Sequence, residues 1–378
     1  MNHHFPLAES GELTLHRYPR QARHGLQAWE AADEYIMNEL ATLEWDRTAP
    51  LVILNDGFGA LTLGLHQYRP FTVTDSRVAG LALAANATDN GLEPEWHSLT
   101  SLDELPAAPG LVILKLPKTN AMLEHQLAAI SRVAGPNTRI VAGAKAKDVH
   151  TSTLTLFEQL LGPTRTSLAW KKARLIFTER NMAIAPSPAP APLAWPLEGS
   201  AFTIYNHAAV FSRASLDIGA RFMLEQLPAN RPGRIIDLGC GNGVLGLMAL
   251  ARNPQATVTF VDESHMAVAS ARLNVEHNLP DALPRARFMV NNCLDGVAPD
   301  SADLVLCNPP FHQQQAITDH IAWQMMTDAR RVLRRGGELL LVGNRHLDYH
   351  QKLKRLFGNQ RVVASNRKFV ILRAIHTA

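Results

Sequence analysis

The chain has 378 residues, of which 46% are hydrophobic and 19% are charged. The length predicts two domains, and the composition excludes a disordered chain, which would combine low hydrophobicity with a high net charge. The net charge of +3 averages two unlike halves, because residues 1–185 hold 17 basic and 19 acidic side chains whereas residues 186–378 hold 20 and 15.

Membrane and metal signals are absent from the sequence. No apolar run reaches the roughly 18 residues that a membrane span needs, and the N-terminal residues lack the cationic start and apolar stretch of a signal peptide. We therefore expect a cytoplasmic protein. The three cysteines form no C-x-x-C pair and the sixteen histidines form no H-E-x-x-H motif, so we expect no metal site.

The first half of the chain predicts an α/β domain over residues 1–184, and a linker follows it over residues 185–198. Proline alternates with small residues from Ala185 to Pro192. This pattern sustains neither a helix nor a sheet ladder and is typical of an extended, stiff spacer.

The second half, residues 199–378, predicts strands that alternate with helices, which indicates a parallel sheet covered on both faces. The predicted strands are Arg234–Leu238, Thr257–Val261, Phe288–Val290, Asp303–Cys307 and Glu338–Val342. The predicted helices are Val244–Arg252, Met266–Leu279 and Ala316–Arg335, the last of which ends at Gly336-Gly337. Two further strands, Arg361–Ala364 and Phe369–Ala374, predict a terminal antiparallel hairpin.

The two halves resemble each other, which predicts an internal duplication. Three segments match in the same order along the chain. They pair Ile53–Leu65 with Ile235–Leu247, Phe71–Ser76 with Thr259–Ser264, and Leu111–Lys118 with Leu304–Pro310.

A glycine-rich turn in the second half predicts a nucleotide-like cofactor. Asp237-x-Gly239-x-Gly241-x-Gly243 ends a predicted strand and begins a helix, where glycine lets the backbone approach a ligand closely. Asp262 ends the next strand, which places it to accept hydrogen bonds from two ribose hydroxyls. These features do not separate a dinucleotide from S-adenosyl-methionine.

The tetrapeptide Asn308-Pro309-Pro310-Phe311 makes that separation. It follows a predicted strand, at the edge where such sheets bind ligands. The Asn308 side-chain oxygen and the Pro309 carbonyl can both accept hydrogen bonds from one exocyclic –NH2 group, which stabilises the positive charge that develops when the nitrogen attacks a methyl sulfonium. Phe311 can stack on a planar base. An NAD-dependent oxidoreductase would explain the glycine turn but not this tetrapeptide.

With these motifs, residues 200–378 resemble the class I S-adenosyl-methionine-dependent methyltransferases that modify exocyclic amines. The segment from Phe211 to Gly219 resembles the paired-domain ribosomal RNA guanine-N2 methyltransferases. Further segments resemble their large-subunit branch, the ribosomal RNA large subunit methyltransferase G (RlmG) family. These segments are Leu26–Tyr35, Ala142–Lys147, residues 308–314 and Asn344–Tyr349. The resemblance spans essentially the whole chain.

The resemblance implies a fold and an activity. The fold is two tandem Rossmann-like class I methyltransferase domains, each a parallel sheet with a terminal antiparallel hairpin, of which the N-terminal copy is degenerate. The activity is methyl transfer from S-adenosyl-methionine to the N2 amine of a guanine in 23S rRNA. A monomer that binds ribosomal RNA, without a membrane or metal partner, is expected.

The resemblance also assigns roles to residues in the second half. Gly239, Gly241 and Gly243 would line the cofactor, Asp237 would orient their loop or meet the cofactor's amino group, and Asp262 would hold the ribose. Asn292, or its neighbour Asn291, would meet the adenine. In the tetrapeptide, Asn308 and Pro309 would hold the guanine amine, and Pro310 and Phe311 would contact the base. Cys240 and Cys307 border the site and are interpreted as packing residues.

The first half departs from the motifs where chemistry needs them. In the alignment above, Leu61 takes the third glycine position, and Leu116 and Pro117 replace Asn308 and Pro309. We therefore expect a copy that lost catalysis and positions RNA, with Trp170 available to stack on a base. The basic candidates for RNA contact are Lys115, Lys118, Lys145, Lys147, Lys171, Lys172 and Arg174.

Several alternatives stay open at this point, because the amine clamp suits any planar –NH2 group. One alternative is another exocyclic-amine methyltransferase, acting on 16S rRNA guanine N2, on adenine N6 or on protein glutamine. A non-enzymatic RNA-binding assembly factor is the alternative of a different class. The sequence does not name the target nucleotide.

Overall fold

The computed structural model describes residues 2–7, 11–20, 26–310 and 315–377, and for residues 315–318 it describes the backbone alone. The chain divides into two compact units, Met1–Ala191 and Pro192–Ala378. Within the described residues, none of the helices is both long and apolar enough to cross a membrane.

The first unit is an α/β structure. Its strands and helices in chain order are β1 (His4–Pro6), β2 (Glu12–Thr14), α1 (Ala31–Leu40), β3 (Leu51–Leu54), α2 (Ala60–Gly64), β4 (Phe71–Thr74), α3 (Arg77–Asp89), β5 (His97–Thr100), β6 (Leu111–Lys115), α4 (Asn120–Val133), β7 (Arg139–Lys145), α5 (Thr151–Leu160), β8 (Thr164–Thr166) and β9 (Ala173–Glu179).

The second unit repeats the same plan. Its strands and helices are β10 (Leu193–Pro196), β11 (Thr203–Asn206), α6 (Ile218–Leu224), β12 (Gly233–Leu238), α7 (Val244–Arg252), β13 (Ala256–Asp262), α8 (His265–Asn278), β14 (Ala286–Val290), β15 (Ala302–Cys307), α9 (Gln315–Val332), β16 (Leu333–Asn344), α10 (Tyr349–Phe357), β17 (Arg361–Ser365) and β18 (Phe369–Ile375).

Each unit contains one seven-stranded sheet, and the two sheets have equivalent strand orders. The order is β5-β4-β3-β6-β7-β9-β8 in the first unit and β14-β13-β12-β15-β16-β18-β17 in the second. The first five strands of each sheet are parallel, and the last two form an antiparallel hairpin. The predicted α/β fold with a terminal hairpin is therefore confirmed.

The sheets bury both faces, as their uninterrupted apolar strands require. In the second unit Ile235 and Leu306 pack into one core, whereas Ile236 and Val305 pack into the core on the opposite face. Side chains alternate between these two faces along each strand. Because β12, β13, β14 and β15 are parallel, their carboxyl ends lie at one edge of the sheet.

The largest boundary differences lie where α9 meets β16, whereas the other predicted bounds of the second unit differ by at most two residues. Helix α9 ends at Val332, not at Arg335, and β16 begins at Leu333, not at Glu338. The backbone there is held in the sheet, because Leu333 pairs with Ala302 and the Gly336 N–H donates to the His376 carbonyl. Within the predicted linker, Leu193–Pro196 forms a strand that pairs with β11, so the irregular part of that stretch ends before it.

Candidate active site

The glycine turn joins β12 to α7 and has the left-handed backbone that glycine favours. Gly239, Gly241 and Gly243 have φ angles of +69°, +54° and +81°. At Gly243 an added Cβ would lie 2.7 Å from the Ala271 Cβ of α8, so only glycine permits this approach. At Gly241 nothing lies within 4 Å of an added Cβ, which leaves a backbone surface that a ligand can approach.

Asp237 fixes this turn from beneath. Its Oδ2 accepts the Gly246 N–H at 2.9 Å, and the residue is only 1% exposed. Burial raises its pKa to about 7, the Gly246 hydrogen bond opposes that rise, and the nearby Asp262 charge adds to it. This hydrogen bond ties the end of β12 to the first turn of α7, across the glycine turn, and the role of Asp237 toward the cofactor stays a prediction.

Asp262 ends β13 beside the same turn. Its Oδ2 accepts the Gly241 N–H at 2.9 Å and its Oδ1 accepts the Ser264 N–H at 2.9 Å. These two bonds orient the carboxylate beside the glycine turn. The arrangement suits a diol such as that of a ribose.

Asn292 follows β14 and is buried. Its Nδ2 donates to Asp295 Oδ2 at 2.9 Å, and its Oδ1 accepts from Gln324 Nε2 at 3.3 Å. Asn291 is less buried and donates to the Asp295 carbonyl. The sequence analysis missed Asp295 and Gln324, since neither belongs to a recognisable motif and Gln324 comes from the distant α9.

Asn308 follows β15, next to the turn between β12 and α7. Its Nδ2 donates to Asp217 Oδ2 at 3.0 Å. Its Oδ1 is buried and has no hydrogen-bond partner among the described residues. A buried acceptor without a partner costs about 1–3 kcal/mol, so this oxygen is a strong candidate for a bond to a ligand.

The rest of the tetrapeptide is partly described. Pro309 is buried and Pro310 is exposed. Neither proline has a backbone N–H, so no donor from them competes for the Asn308 oxygen. Phe311 lies outside the described residues, and its predicted stacking role stays a prediction.

The thiols at the site are not reactive groups. Cys240 and Cys307 are buried, and burial raises the pKa of each well above its ordinary value. Burial likewise raises the pKa of Cys293 to about 12. Within the described part of the chain, no group of three or more His, Cys, Asp or Glu side chains could hold a metal ion.

The first unit has the corresponding edge, and its sheet register identifies the equivalent residues. Leu54 pairs with Val73 and Leu114 just as Leu238 pairs with Val261 and Cys307. Counting from these strands, Asn55 is equivalent to Gly239 and Gly59 to Gly243. Thr74 takes the place of Asp262, and Lys115 takes the place of Asn308.

This register corrects two predictions about the first unit. The third glycine position is occupied by Gly59, which has a φ angle of +94° and caps α2, and not by Leu61. The residues at the Asn308 and Pro309 positions are Lys115 and Leu116, not Leu116 and Pro117. The first unit therefore keeps the turn but has neither an acid at the Asp262 position nor an amide at the Asn308 position.

The sequence predicts that Lys115 contacts RNA, but the structure buries it in an ion-pair cluster with Asp33 and Glu30. Its Nζ lies 2.7 Å from Asp33 Oδ1 and 3.2 Å from Glu30 Oε2. Burial alone would lower the Lys115 pKa, but the two carboxylates outweigh it and raise the pKa above its ordinary value.

Three of the other candidate lysines lie at the carboxyl edge of the first sheet, at the end of β7 and just before β9. Lys145, Lys171 and Lys172 are all exposed. Lys145 lies 3.7 Å from Glu30, and Lys171 lies 2.7 Å from Glu34 and 4.6 Å from the ring of Trp170. For Lys172, the described residues include no ion-pair partner.

Comparison with known proteins places the chain among ribosomal RNA methyltransferases. A family model described as the RLMG N-terminal domain matches residues 4–182, and one described as the methyltransferase small domain matches residues 201–373. The chain is 64% identical over 365 residues to ribosomal RNA large subunit methyltransferase G of Aeromonas salmonicida, covering 96% of this chain and 97% of that protein. It is 57% identical over 371 residues to the protein of the same name from Klebsiella pneumoniae, covering 97% and 96%.

A solved structure shows the same two-unit fold. The T. thermophilus 16S rRNA N2 methyltransferase RsmC, in complex with AdoMet and guanosine, superposes with a TM-score of 0.77. Their sequences are 22% identical, and the match covers 98% of this chain and 97% of that chain. At this identity the likeness establishes the fold.

Proposed function

Because the chain belongs to the ribosomal RNA large subunit methyltransferase G family, we propose that it transfers a methyl group from S-adenosyl-methionine to the exocyclic N2 amine of a guanine in 23S rRNA. The buried Asn308 Oδ1, which has no partner among the described residues, carries this proposal. This acceptor lies beside the glycine turn, where it can accept a hydrogen bond from an N–H of a substrate amine.

The chain's own residues account for the acceleration of the transfer. Asn308 Oδ1 accepts one N–H of the guanine amine, which disfavours delocalisation of the nitrogen lone pair into the ring. The same bond strengthens as positive charge develops on the nitrogen, so it stabilises the transition state more than the ground state. Bound S-adenosyl-methionine would supply the methyl group on a sulfonium. The nitrogen lone pair forms the bond to the methyl carbon as the carbon–sulfur bond breaks, the thioether S-adenosyl-homocysteine leaves, and the nitrogen releases one proton to water, so no protein nucleophile is required.

The residues around the turn fit the cofactor. Gly241 offers open backbone, and Asp262 places a carboxylate at the adjacent strand end, where a ribose diol would be bound. Asn292 is proposed to meet the adenine, since an amide oxygen can accept from the adenine amine. Gly239 and Gly243 shape the turn around these contacts.

We assign the two halves different work. Residues 1–184 recognise RNA, residues 185–198 link the halves, and residues 199–378 carry catalysis. In the first half the contacts with RNA are made by Lys145, Lys171 and Lys172, and in the second half the base is contacted by Pro310 and Phe311. The protein acts as a cytoplasmic monomer on 23S rRNA.

The decisive experiment is methyl transfer from tritiated S-adenosyl-methionine to ribosomal RNA from cells that lack the enzyme, followed by identification of the nucleoside. We expect label in N2-methylguanosine of 23S rRNA. Asn308→Ala should lower the rate by about 100-fold or more while calorimetry shows cofactor binding as in the wild type. Label in adenosine or in 16S rRNA, or full turnover by Asn308→Ala, would contradict the proposal.

A further inference from the structure

We propose that Asp217 is a positioning residue for the reaction, because its carboxylate holds the Asn308 amide in the one orientation that presents an acceptor to the substrate amine. This inference rests on the proposed function. It adds to it a residue that belongs to no catalytic motif and lies 91 positions away from Asn308 in the sequence.

The geometry ties Asn308 to the start of a helix. Asp217 is the N-cap of α6, and its Oδ2 accepts the Ala220 N–H at 2.9 Å. The same Oδ2 accepts from Asn308 Nδ2 at 3.0 Å. Gly219 and Ala220 are buried, so the helix start is anchored in the core and the carboxylate is held in place from two sides.

The bond determines which end of the amide faces the substrate. An amide carries a donor end and an acceptor end of nearly equal size, and its orientation is set by its hydrogen-bond partners. An ionised carboxylate only accepts, so Asp217 selects the –NH2 end. The Oδ1 end then lies on the other side, where it is buried and without a partner in the described structure. A flipped amide would present donors to a donor.

The charge of Asp217 also strengthens the acceptor. A hydrogen bond to an ionised group is about twice as strong as a neutral one, and bonds in a chain polarise one another. Electron density drawn toward Asn308 Oδ1 in this way improves its bond to an amine that is becoming positive. No ion-pair partner of Asp217 is found in the described parts of the chain, so its charge is not already neutralised there.

The first unit supplies an independent observation. There Glu30 is the N-cap of the equivalent helix α1, and Lys115 holds the register position of Asn308. Glu30 Oε2 and Lys115 Nζ lie 3.2 Å apart. The copy that lost the amide thus still joins an acidic helix cap to the residue at the Asn308 position. Lys115 has donors only, so the connection persists where the amine acceptor has gone.

Three variants separate positioning from helix capping. Serine caps a helix about as well as aspartate but is too short to reach Asn308, whereas asparagine caps the helix and can still accept from Asn308. We expect Asp217→Ser to lower kcat by on the order of tenfold with unchanged KM for S-adenosyl-methionine. Asp217→Asn should restore kcat to within a fewfold of the wild type. In an Asn308→Ala background, Asp217→Ser should have no further effect, because the two act as one unit.

A nuclear magnetic resonance measurement tests the contact without relying on turnover. The Asn308 side-chain amide signal, assigned by its loss in Asn308→Ala, should exchange slowly with water in the wild type and in Asp217→Asn and quickly in Asp217→Ser. Unchanged exchange in Asp217→Ser would overturn the inference, whether or not the wild type methylates RNA. Failure of the wild type to methylate RNA would instead contradict the proposed function. An active wild type with normal kcat in Asp217→Ser, or additive effects in the double variant, would overturn the inference alone.

Discussion

Single residues at the site combine burial with polarity, and Asp237 shows how these oppose each other. Burial disfavours its charged form, whereas the Gly246 N–H stabilises that form. The balance leaves a pKa of about 7, well above the ordinary 3.8. Burial of this carboxylate beside the glycine turn therefore makes the free energy of unfolding depend on pH.

This balance predicts that Asp237 destabilises the fold as pH rises. Between pH about 4 and pH about 7 the folded protein holds a proton on Asp237 that the unfolded chain has lost, so the free energy of unfolding falls across this window by up to about 4 kcal/mol. Asp237→Asn removes this contribution. Its stability relative to the wild type should therefore increase from pH 5 to pH 8.

Urea unfolding of the cofactor-free protein at several pH values measures this difference. Because the other titrating groups are common to both proteins, the difference between them isolates residue 237. A difference that stays constant over this range would show that the Asp237 pKa is not raised.

Polar contacts between residues far apart in the chain could not be predicted from the sequence. The glycine turn, Asp262 and Asn308 could be found because chemistry demands their residue types at the ends of successive strands. Asp217 and Gln324 could not, because each acts through a contact that only the folded chain brings together. The spacing of Asp217 from Asn308 carries no signal of its own.

At the scale of strands and helices, boundaries could be predicted where one local signal dominates. The run Val244–Arg252 was predicted as a helix and is α7 without a shift, since glycine precedes it and all but Gly246 of its next eight residues are apolar. The end of α9 was predicted wrongly because Arg334 and Arg335 favour a helix locally, while the sheet pairs this backbone with Ala302 and His376. Tertiary pairing overrides propensity there.

The alignment of the two halves failed for a related reason. The sequence alignment matches Gly57-x-Gly59 to Gly239-x-Gly241, two residues away from the match given by the sheet register. This alignment contains more identical residues, and a shift of two keeps each side chain on the same face of its strand. Only the pairing of β3 with β4 and β6 shows that Gly59, and not Leu61, is equivalent to Gly243. Repeated sequence therefore predicted the duplication, but register was needed to identify equivalent residues.

At the end of β6, the ion pairs of Lys115 predict that the stability of the first unit depends strongly on this residue. In Lys115→Met the buried Asp33 would lose its partner at 2.7 Å, and Glu30 would lose its own at 3.2 Å. Removing one member of a buried ion pair costs about 3–5 kcal/mol, so we expect a loss of that order in unfolding experiments. Cofactor affinity should not change, because Lys115 belongs to the copy without catalysis.

Lys118→Met is the matched control, since Lys118 is exposed three residues further along. Its stability should stay within about 0.5 kcal/mol of the wild type. Equal effects of the two substitutions would mean that the ion-pair cluster contributes nothing beyond an ordinary surface lysine.

On the scale of the whole molecule, the two units share one fold but differ in the side chains at their proposed sites. The sheets share their strand order, so the difference lies in a few side chains at the carboxyl edge. Thr74 and Lys115 occupy the positions of Asp262 and Asn308, the two residues that we propose bind the cofactor and the substrate amine. The copy without these groups keeps exposed lysines at its own edge, which is the basis for assigning it to RNA.

That assignment predicts a ranking of the lysines. Lys145 and Lys171 already lie near Glu30 and Glu34, so a phosphate must compete with a carboxylate for each of them. Lys172 has no such partner in the described structure, and it should therefore contribute most. Binding of a 23S rRNA fragment, measured by fluorescence anisotropy across a salt series, should weaken steeply with salt.

Lys172→Gln should reduce the slope of log affinity against log salt by about 1, with a smaller reduction for Lys171→Gln. Arg139→Gln is the control, because Arg139 is an exposed cation of the same unit at the opposite end of β7. Both variants lose one positive charge, so a position-independent field would affect them equally. A slope that falls only for Lys172→Gln places RNA at the carboxyl edge of the first sheet, whereas equal or absent changes would remove this edge from the RNA-binding surface.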